Sequence, residues 1–252
     1  MSTATGGSNQ GRTIERALDV LESLERARGP LRLSEIARSV DLHLATTQRT
    51  VNLLVRRGYI QQDRHGYSLG PVALSLAHAF VLNDRLSTVA TPILGELSAT
   101  TGLTSSIFVR SGDERILVAR VDGANPLRYQ FPIGRRVPLN LGGGKVLLAD
   151  LDAADLDAFN ERVGPARLAS GALQDSADLA AQLATVRRNG FHLAQSEREL
   201  GALSLTRAIH TESREAIGAV NLVTTTEHTT PDALVALLPE LARACAAIAE
   251  RV

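Results

Sequence analysis

Residues 33–69 constrain the fold most, because two short helical patterns, a tight turn and a hairpin pattern follow one another directly. Apolar residues at helical spacing predict a first helix from Leu33 to Val40, with Ser34 as its N-cap. A turn at residues 41–43 leads to a second helix, predicted from about Leu44 to Arg57 and ended by a glycine. Together these patterns predict a helix-turn-helix.

A hairpin and a preceding helix complete this unit. Residues 59–62 and 66–69 are predicted to pair as two short strands around the turn between them. Upstream, Thr13 is the predicted cap of a helix that ends before Gly29 and Pro30. A helix-turn-helix followed by a hairpin is a winged helix-turn-helix, a fold typical of DNA-binding proteins.

The second helix of such a unit enters the major groove, and its first turns meet the base edges. Gln can form two hydrogen bonds with adenine, Arg can do so with guanine, and small apolar groups pack on the thymine methyl. The exposed residues predicted to read bases are His43, Ala45, Thr46, Gln48 and Arg49. The residues predicted to contact phosphates, which fix the register of binding, are Arg56, Arg57, Arg64 and His65.

Charge supports this prediction only locally. The chain has 27 basic and 27 acidic residues, so its net charge alone does not indicate nucleic-acid binding. Residues 12–64, however, carry ten arginines and seven acidic residues, and a local surplus of this kind suits phosphate contact. The alternative is a winged helix that contacts another protein, with arginines that only keep one face of a helix exposed to solvent.

Beyond the winged helix, residues 71–84 predict a linker helix, and residues 1–11 are expected to form a disordered N-terminus. Helical and strand patterns then alternate, which predicts a sheet flanked by helices. The predicted strands are Ser105–Arg110, Arg115–Asp122, Leu127–Phe131, Phe191–Ser196, Leu203–Ile209 and Ala216–Thr224. The predicted helices are Leu86–Thr101, Gly143–Leu151, Ala154–Val163, Asp178–Asn189 and one after Pro231 that Pro239 bends or splits. The predicted class is α+β, with a winged helix-turn-helix in residues 12–70 and a second domain in residues 85–252.

Several function classes are disfavoured by the sequence. The sequence has no run of eighteen apolar residues, so it predicts no membrane span, and the N-terminus does not resemble a signal peptide. Cys245 is the sole cysteine, so no disulfide can form within the chain. We therefore expect a cytoplasmic protein. The six histidines lack metal-ligand spacing, and no nucleophile or dinucleotide motif is present, so we expect no metal, cofactor or enzymatic activity. Cys245 is predicted to be a packing residue, and the charged run at residues 196–199 is predicted to be solvated.

A family resemblance extends along most of the chain. The stretches TIERALDVLESL and LSEIARSVDLHLATTQRTVNLLVRRGYIQQDRHGYSLG resemble the N-terminal domain of the IclR family of bacterial transcriptional regulators. GRRVPLNLGGGKVLLA, GFHLAQSERELGALSLTRAI and EAIGAVNLV are similar to segments of its second domain. The resemblance covers nearly all of Thr13 to Val252. It implies a winged helix-turn-helix joined by a linker helix to a GAF-like α/β domain that binds an effector and oligomerises, as a dimer or tetramer on a palindromic operator.

The second helix departs from the family pattern at four positions. The family usually has serine where this chain has His43 and Ala45, and aliphatic residues where it has Thr47 and Thr50. His43 is a poorer helix cap than serine, so Asp41 is expected to substitute or the helix start to fray. The two threonine hydroxyls need hydrogen-bond partners, because Thr is not a neutral replacement for Val in a core.

A second constellation centres on a glycine-rich turn. Residues 142–145 open a predicted helix, where free backbone N–H groups make an anion site, although a tight turn that needs glycine explains the same residues. The spacing is not that of a P-loop. Asn221 interrupts an apolar run and needs a polar partner, either a ligand or the neighbouring backbone. Arg128 is expected at the surface, with pairing to a ligand carboxylate as the alternative.

The resemblance assigns this turn to effector binding. It implies that the backbone amides of the turn hold a small carboxylate, with further pocket residues on the last strands. These implied effector-binding residues are Leu141, Gly142, Gly143, Ala194, Ala202, Ser204 and Asn221. The family often has Asp where this chain has Ala194, so we expect a bulkier and less polar acid than glyoxylate or pyruvate.

The combined expectation is a ligand-responsive, DNA-binding transcriptional regulator that controls catabolism of a small aliphatic or aromatic acid. The alternative is a small-molecule-binding protein or an enzyme whose winged helix mediates protein contact.

Overall fold

The computed structural model describes residues 7–124, 132–212 and 216–252. The chain divides into two compact units, Met1–Leu82 and Asn83–Val252. The strand predicted near Leu127–Phe131, and with it Arg128, lies outside the described residues. No helix in the described ranges is long and apolar enough to cross a membrane.

The first unit is a winged helix-turn-helix, as predicted. Its elements are α1 (Gly7–Arg26), α2 (Leu33–Ser39), α3 (Leu44–Arg56), β1 (Ile60–Asp63), β2 (Gly66–Leu69) and α4 (Pro71–Asn83). One core joins the three helices to the hairpin through buried Val20, Leu24, Ile36, Val51, Leu54, Ile60 and Tyr67. A backbone bridge between Leu31 and Tyr67 ties the loop before α2 to strand β2. The wing is therefore fixed to the body of the unit.

Helix α1 is longer than predicted. It begins at Gly7 rather than at Thr13, so residues 7–11, which were expected to be disordered, are helical. Propagating an existing helix fixes one residue for each hydrogen bond gained, and no proline stands in this segment to stop it. The prediction of disorder for these residues was wrong because local composition is a weak guide to where a packed helix starts.

The cap of helix α2 also differs from the prediction. The N-cap is Arg32, one residue before the helix, and not Ser34. The backbone N–H of Arg32 donates to the Glu35 carboxylate at 2.6 Å. Glu35 therefore supplies, from the third helical position, the acceptor that was expected from a serine hydroxyl.

Helix α3 begins at Leu44, and its N-cap residue His43 makes no side-chain cap hydrogen bond. Asp41 shapes the preceding turn with a φ of 48°, in the left-handed region that Asp tolerates. The Thr47 hydroxyl, fully buried, donates to the carbonyl oxygen of His43 at 3.2 Å. The Thr50 hydroxyl donates to the carbonyl oxygen of Thr46 at 3.1 Å. Both hydroxyls thus find the partners that their positions require, inside the helix itself.

The second unit contains a six-stranded antiparallel sheet in the order β5-β4-β3-β10-β9-β8. Its strands are β3 (Thr104–Ser111), β4 (Glu114–Val121), β5 (Arg136–Pro138), β8 (His192–Gln195), β9 (Ala202–His210) and β10 (Ala216–Thr225). A separate pair is β6 (Ala166–Arg167) and β7 (Leu173–Gln174). The helices are α5 (Arg85–Thr101), α6 (Lys145–Leu148), α7 (Ala153–Val163), α8 (Ser176–Asn189), α9 (Pro231–Val235) and α10 (Leu238–Ala249). A 3₁₀ turn at Gly142–Gly144 precedes α6, and Pro239 stands where the last helix splits into two, as predicted.

Strand alternation gives the sheet two different faces. Ile107, Leu205 and Leu222 point to one face, where α5 and α10 cover them in the main apolar core. The opposite face carries Ser106, Ser204 and Asn221 on the same strands. Helices α6, α7 and α8 pack against one end of that face, and the rest of it borders a cavity.

Candidate functional site

Helix α3 presents one polar face to solvent. His43, Ala45 and Arg49 are exposed, Thr46 and Gln48 are half-exposed, and the opposite face is buried in the core. The side-chain amide of Gln48 donates to the Asn52 Oδ1 at 2.8 Å. Asn52 lies one helical turn further along the same face and was missed by the sequence analysis, although its spacing from Gln48 could have identified it. The structure therefore brings the predicted base-reading residues onto one surface.

The predicted phosphate contacts lie at the end of α3 and in the wing. Arg56, Arg57, Arg64 and His65 are all exposed. The Arg64 Nε donates to the His65 Nε2 at 2.9 Å. The Asp63 carboxylate accepts the backbone N–H of His65 at 2.7 Å, which closes the hairpin turn. These cations extend the polar surface of α3 along the first unit.

The second unit contains a cavity of about 520 Å³. Its floor is the polar face of the sheet, and its wall includes the glycine turn and residues 197–201, which join β8 to β9. Five of the seven predicted effector-binding residues line it, namely Gly142, Ala194, Ala202, Ser204 and Asn221. The other two, Leu141 and Gly143, do not line the cavity.

Gly143 faces the sheet instead of the cavity. A Cβ atom there would lie 2.3 Å from the Thr206 Oγ1 and 2.8 Å from the Arg115 Nη1, so only glycine fits. Leu141 contributes its carbonyl oxygen, which accepts from the Arg115 Nη2 at 3.4 Å. Close packing of the turn, which was the alternative explanation of the glycines, thus accounts for Gly143.

The anion position at the glycine turn is filled by a carboxylate of the chain itself. The Gly142 N–H donates to the Glu197 Oε2 at 2.8 Å, and the Lys145 ammonium donates to the same oxygen. The His192 Nε2 lies 2.8 Å from the other oxygen, Oε1. The Glu197 side chain is 13% exposed. The prediction that the run at residues 196–199 is solvated was therefore wrong for this residue.

The charges of this cluster compensate one another. Burial alone raises the pKa of Glu197, but the hydrogen bond to His192 and the charge of Lys145 outweigh it and hold that pKa at about 2. Burial lowers the pKa of Lys145, and Glu197 opposes that shift. Lys145 is completely buried and is the sole lysine of the chain. A buried ammonium needs a counter-charge, and Glu197 supplies it.

Asn221 is buried and has a side-chain partner. The Thr206 hydroxyl, directly opposite on β9, donates to the Asn221 Oδ1 at 2.7 Å. The partner is therefore a neighbouring side chain, whereas we had expected a ligand or the backbone. Asn221 also borders the cavity, next to Ser106 across the β3–β10 pairing.

Arg115 is a further residue at the cavity that was not predicted from the sequence. It is 5% exposed, borders the cavity, and holds its guanidinium 4.3 Å from the centroid of the Phe108 ring. Burial lowers the pKa of Arg115 to about 9; the charge of Arg198 adds to this shift and that of Glu197 opposes it. Arg115 and Leu117 are two residues apart on β4, and residues two apart on a strand point to the same face of the sheet. This spacing was the sequence feature that could have placed Arg115 on the same face as Leu117.

Cys245 is a packing residue. It is 5% exposed within the main core, and burial raises the pKa of its thiol to about 12. A thiol with so high a pKa is a poor nucleophile, since the thiolate is the reactive form. Among the described residues, no group of three His, Cys, Asp or Glu side chains is arranged to hold a metal ion.

Replacing Glu197 tests the buried cluster. We expect Glu197→Gln to lower the free energy of unfolding by about 3 kcal/mol at neutral pH, because it leaves the Lys145 charge buried without a counter-charge. Urea denaturation of the full chain measures this change. The matched control is Glu199→Gln, which alters an exposed carboxyl of the same loop. An equal effect of the two substitutions would contradict the assignment.

The same cluster predicts a pH dependence. Glu197 titrates near 4.5 in the unfolded chain and at about 2 in the folded one, so its contribution is complete above pH 4.5 and declines toward pH 2. The difference in unfolding free energy between the wild type and Glu197→Gln should therefore shrink over that interval. Denaturation curves at several pH values would reveal it, and a constant difference would contradict the prediction.

Comparison with known proteins places both units in one family. The model of the IclR helix-turn-helix domain matches residues 13–64, and that of the bacterial transcriptional regulator IclR C-terminal domain matches residues 78–250. The chain is 28% identical over 212 residues to the HTH-type transcriptional repressor AllR of Salmonella typhimurium, covering 83% of this chain and 78% of AllR.

Two solved structures are similar to this chain and hold small acids. The inducer-binding domain of the PobR transcription factor from Acinetobacter, a double mutant in complex with 3-hydroxybenzoic acid, is 28% identical with a TM-score of 0.61, covering 66% of this chain and 98% of that one. An IclR homologue from Microbacterium hydrocarbonoxydans in complex with 4-hydroxybenzoate is 22% identical with a TM-score of 0.73, covering 95% and 98%. With both of its units matched by family models, the chain belongs to the IclR family of bacterial transcriptional regulators.

Proposed function

We propose that this regulator binds operator DNA through α3 and the wing, and that a small organic acid in the cavity of the second unit changes its affinity for that DNA. The observation that carries the proposal is the cavity itself, which is bordered by a buried cation and lined by hydroxyl groups. Its volume is within the range of ligand pockets. AllR, a relative, is a repressor, and repression is the mode of control that we propose here.

The proposed DNA contacts divide into two groups. Gln48 and Arg49 on α3 have the donor and acceptor geometry that reads adenine and guanine, with His43, Ala45 and Thr46 beside them. Arg56, Arg57, Arg64 and His65 contact phosphates and fix the register. Because DNA is the partner, we place the protein in the cytoplasm.

The proposed effector is a small aliphatic or aromatic acid. Ala194 and Ala202 leave room at one side of the cavity, while Phe108, Leu117 and Val223 offer an apolar surface. Ser204 and Asn221 supply hydrogen-bonding groups on the floor. Hydroxybenzoates bound to the two similar proteins support an acid with a ring-sized body. We propose that the regulated genes break down such an acid.

We propose a homodimer, or a pair of dimers, on a palindromic operator. Helix α4 has no buried residue, and Leu74, Leu76 and Leu82 on it are all more than half exposed. Ile14 and Leu18 of α1 are exposed as well. Apolar helix surface of this extent favours burial against another copy of the chain. The acid then acts by binding one arrangement of the dimer more tightly than the other.

Substitutions on α3 test the DNA contacts. Gln48→Ala or Arg49→Ala should each cost about 1–3 kcal/mol on the cognate operator if the side chains read bases. Titrations of the upstream region of the protein's own gene and of random DNA measure the effect, with the exposed Arg243→Ala of the second unit as the control. Equal losses on both DNAs would mean that these residues touch only phosphates. Absence of salt-dependent binding to any genomic fragment, with or without acids, would contradict DNA binding and favour protein contact.

Substitutions on the cavity floor test the effector site. Ser204→Ala and Asn221→Ala should weaken the effect of the acid on operator binding, because each removes a hydrogen-bonding group of the cavity. The control is Ser111→Ala, at an exposed end of β3. A thermal-shift screen of aliphatic and aromatic acids identifies the ligand. Unchanged ligand affinity in both cavity variants would contradict the pocket assignment.

A further inference from the structure

The buried charges around the glycine turn are not balanced. Arg115 and Lys145 are buried cations, and Glu197 is the carboxylate beside them. The Glu197 oxygens are engaged by Lys145, His192 and the Gly142 N–H. In the described parts of the chain, no carboxylate oxygen lies within 4 Å of an Arg115 nitrogen. Among the described residues, Arg115 therefore borders the cavity without a direct ion pair, although the charge of the nearby Glu197 acts on it.

The hydrogen bonds of Arg115 are also incomplete. Its Nε is buried and has no acceptor among the described residues, and its Nη2 makes one long bond of 3.4 Å to the Leu141 carbonyl oxygen. A buried guanidinium with an unsatisfied donor is costly, and an acceptor from outside the chain can approach this guanidinium from the cavity that it borders. The Phe108 ring, 4.3 Å away, holds the guanidinium at the edge of the cavity.

The remaining cavity cations differ from Arg115. Arg120 pairs with the Asp122 carboxylate at 2.7 Å. Arg198 is half-exposed on the loop after β8, and its charge acts on Arg115 and increases the positive potential there. An anion beside Arg115 would relieve that repulsion, whereas an anion at the glycine turn would meet Glu197.

We infer that Arg115 is the residue that anchors the carboxylate of the effector, through hydrogen bonds between its guanidinium and the carboxylate oxygens. This inference rests on the proposed function and deepens it. The Gly142 amide, which the family resemblance assigns to the ligand carboxylate, already donates to Glu197. Among the described residues, Arg115 combines an unsatisfied Nε donor with the absence of a directly paired carboxylate, and its planar guanidinium matches a carboxylate.

The side chains on the sheet indicate the chemistry of the ligand beyond its carboxylate. Leu117 is paired with Phe108, so the part of the ligand next to its carboxylate would contact two apolar side chains. Ser106 is two residues along β3 from Phe108, about 7 Å away at the usual rise of a strand. It is followed on the same face by Thr104. The ligand class is therefore a monocarboxylic acid with an apolar, ring-sized body and a hydroxyl at the end opposite its carboxylate.

The test compares acids with their neutral amides. Calorimetric titration of the full chain uses 4-hydroxybenzoate, 3-hydroxybenzoate and benzoate, each beside its carboxamide. We expect the wild type to bind the acid that fits about 30-fold more tightly than its amide, and Arg115→Met to lose that preference by weakening the acid alone. Arg115→Lys, which keeps the charge without the planar donors, should retain part of the preference.

Two controls keep the outcomes separate. Arg110→Met alters the exposed cross-strand neighbour of Arg115 and should leave acid binding as in the wild type. A melting curve shows that each variant folds, and replacement of a buried charge by an apolar side chain is frequently tolerated.

Acid binding in Arg115→Met equal to that of the wild type would overturn the inference and leave the proposed function standing. A wild type that binds none of these acids, or binds only amides, would overturn the acid-responsive function and the inference with it.

Discussion

The Glu197 carboxylate connects parts of the second unit that are far apart in sequence. Its donors come from the glycine turn, from the start of α6 and from strand β8, while Glu197 itself stands in the loop between β8 and β9. That loop forms one wall of the cavity, and the glycine turn forms another. Because Lys145 is fully buried, the pair cannot separate without leaving a charge in the interior. The pair therefore ties the loop to the glycine turn at the wall of the cavity.

The floor of the cavity depends on a different constraint, the alternation of side chains along strands. In the pairing of β3 with β4 a bulge between Ile107 and Phe108 shifts the register by one residue. Leu117 and Arg120, three residues apart, consequently both face the cavity. Without the bulge, Arg120 would point to the apolar face under α5. The irregularity thus places a cation on the polar side of the sheet.

The features that were predicted best from the sequence are those that depend on residues close together in the chain. The winged helix, the split of the last helix near Pro239 and the need of Thr47 for a hydroxyl partner all follow from patterns a few residues long. The start of α1 was predicted less well, because a helix can extend through residues whose composition favours disorder. Glu197 and Lys145 are 52 residues apart, and a run of four polar or charged residues gives no sign that one of them is buried. Arg115 was likewise read as an ordinary strand residue, since its burial depends on a turn 26 residues away.

Buried charges and an open cavity both lower the stability of a domain, since an apolar core of equal volume gains dispersion contacts that a cavity lacks. A domain that senses a ligand accepts this lower free energy of unfolding in exchange for a binding site. The ligand shifts an equilibrium between two states only through its unequal affinity for them, and binding to one state raises the stability of that state. Arg115 contributes to this cost, because its buried Nε has no acceptor among the described residues. A residue that lowers the stability of the domain in this way is therefore one through which an anionic ligand in the cavity can raise it.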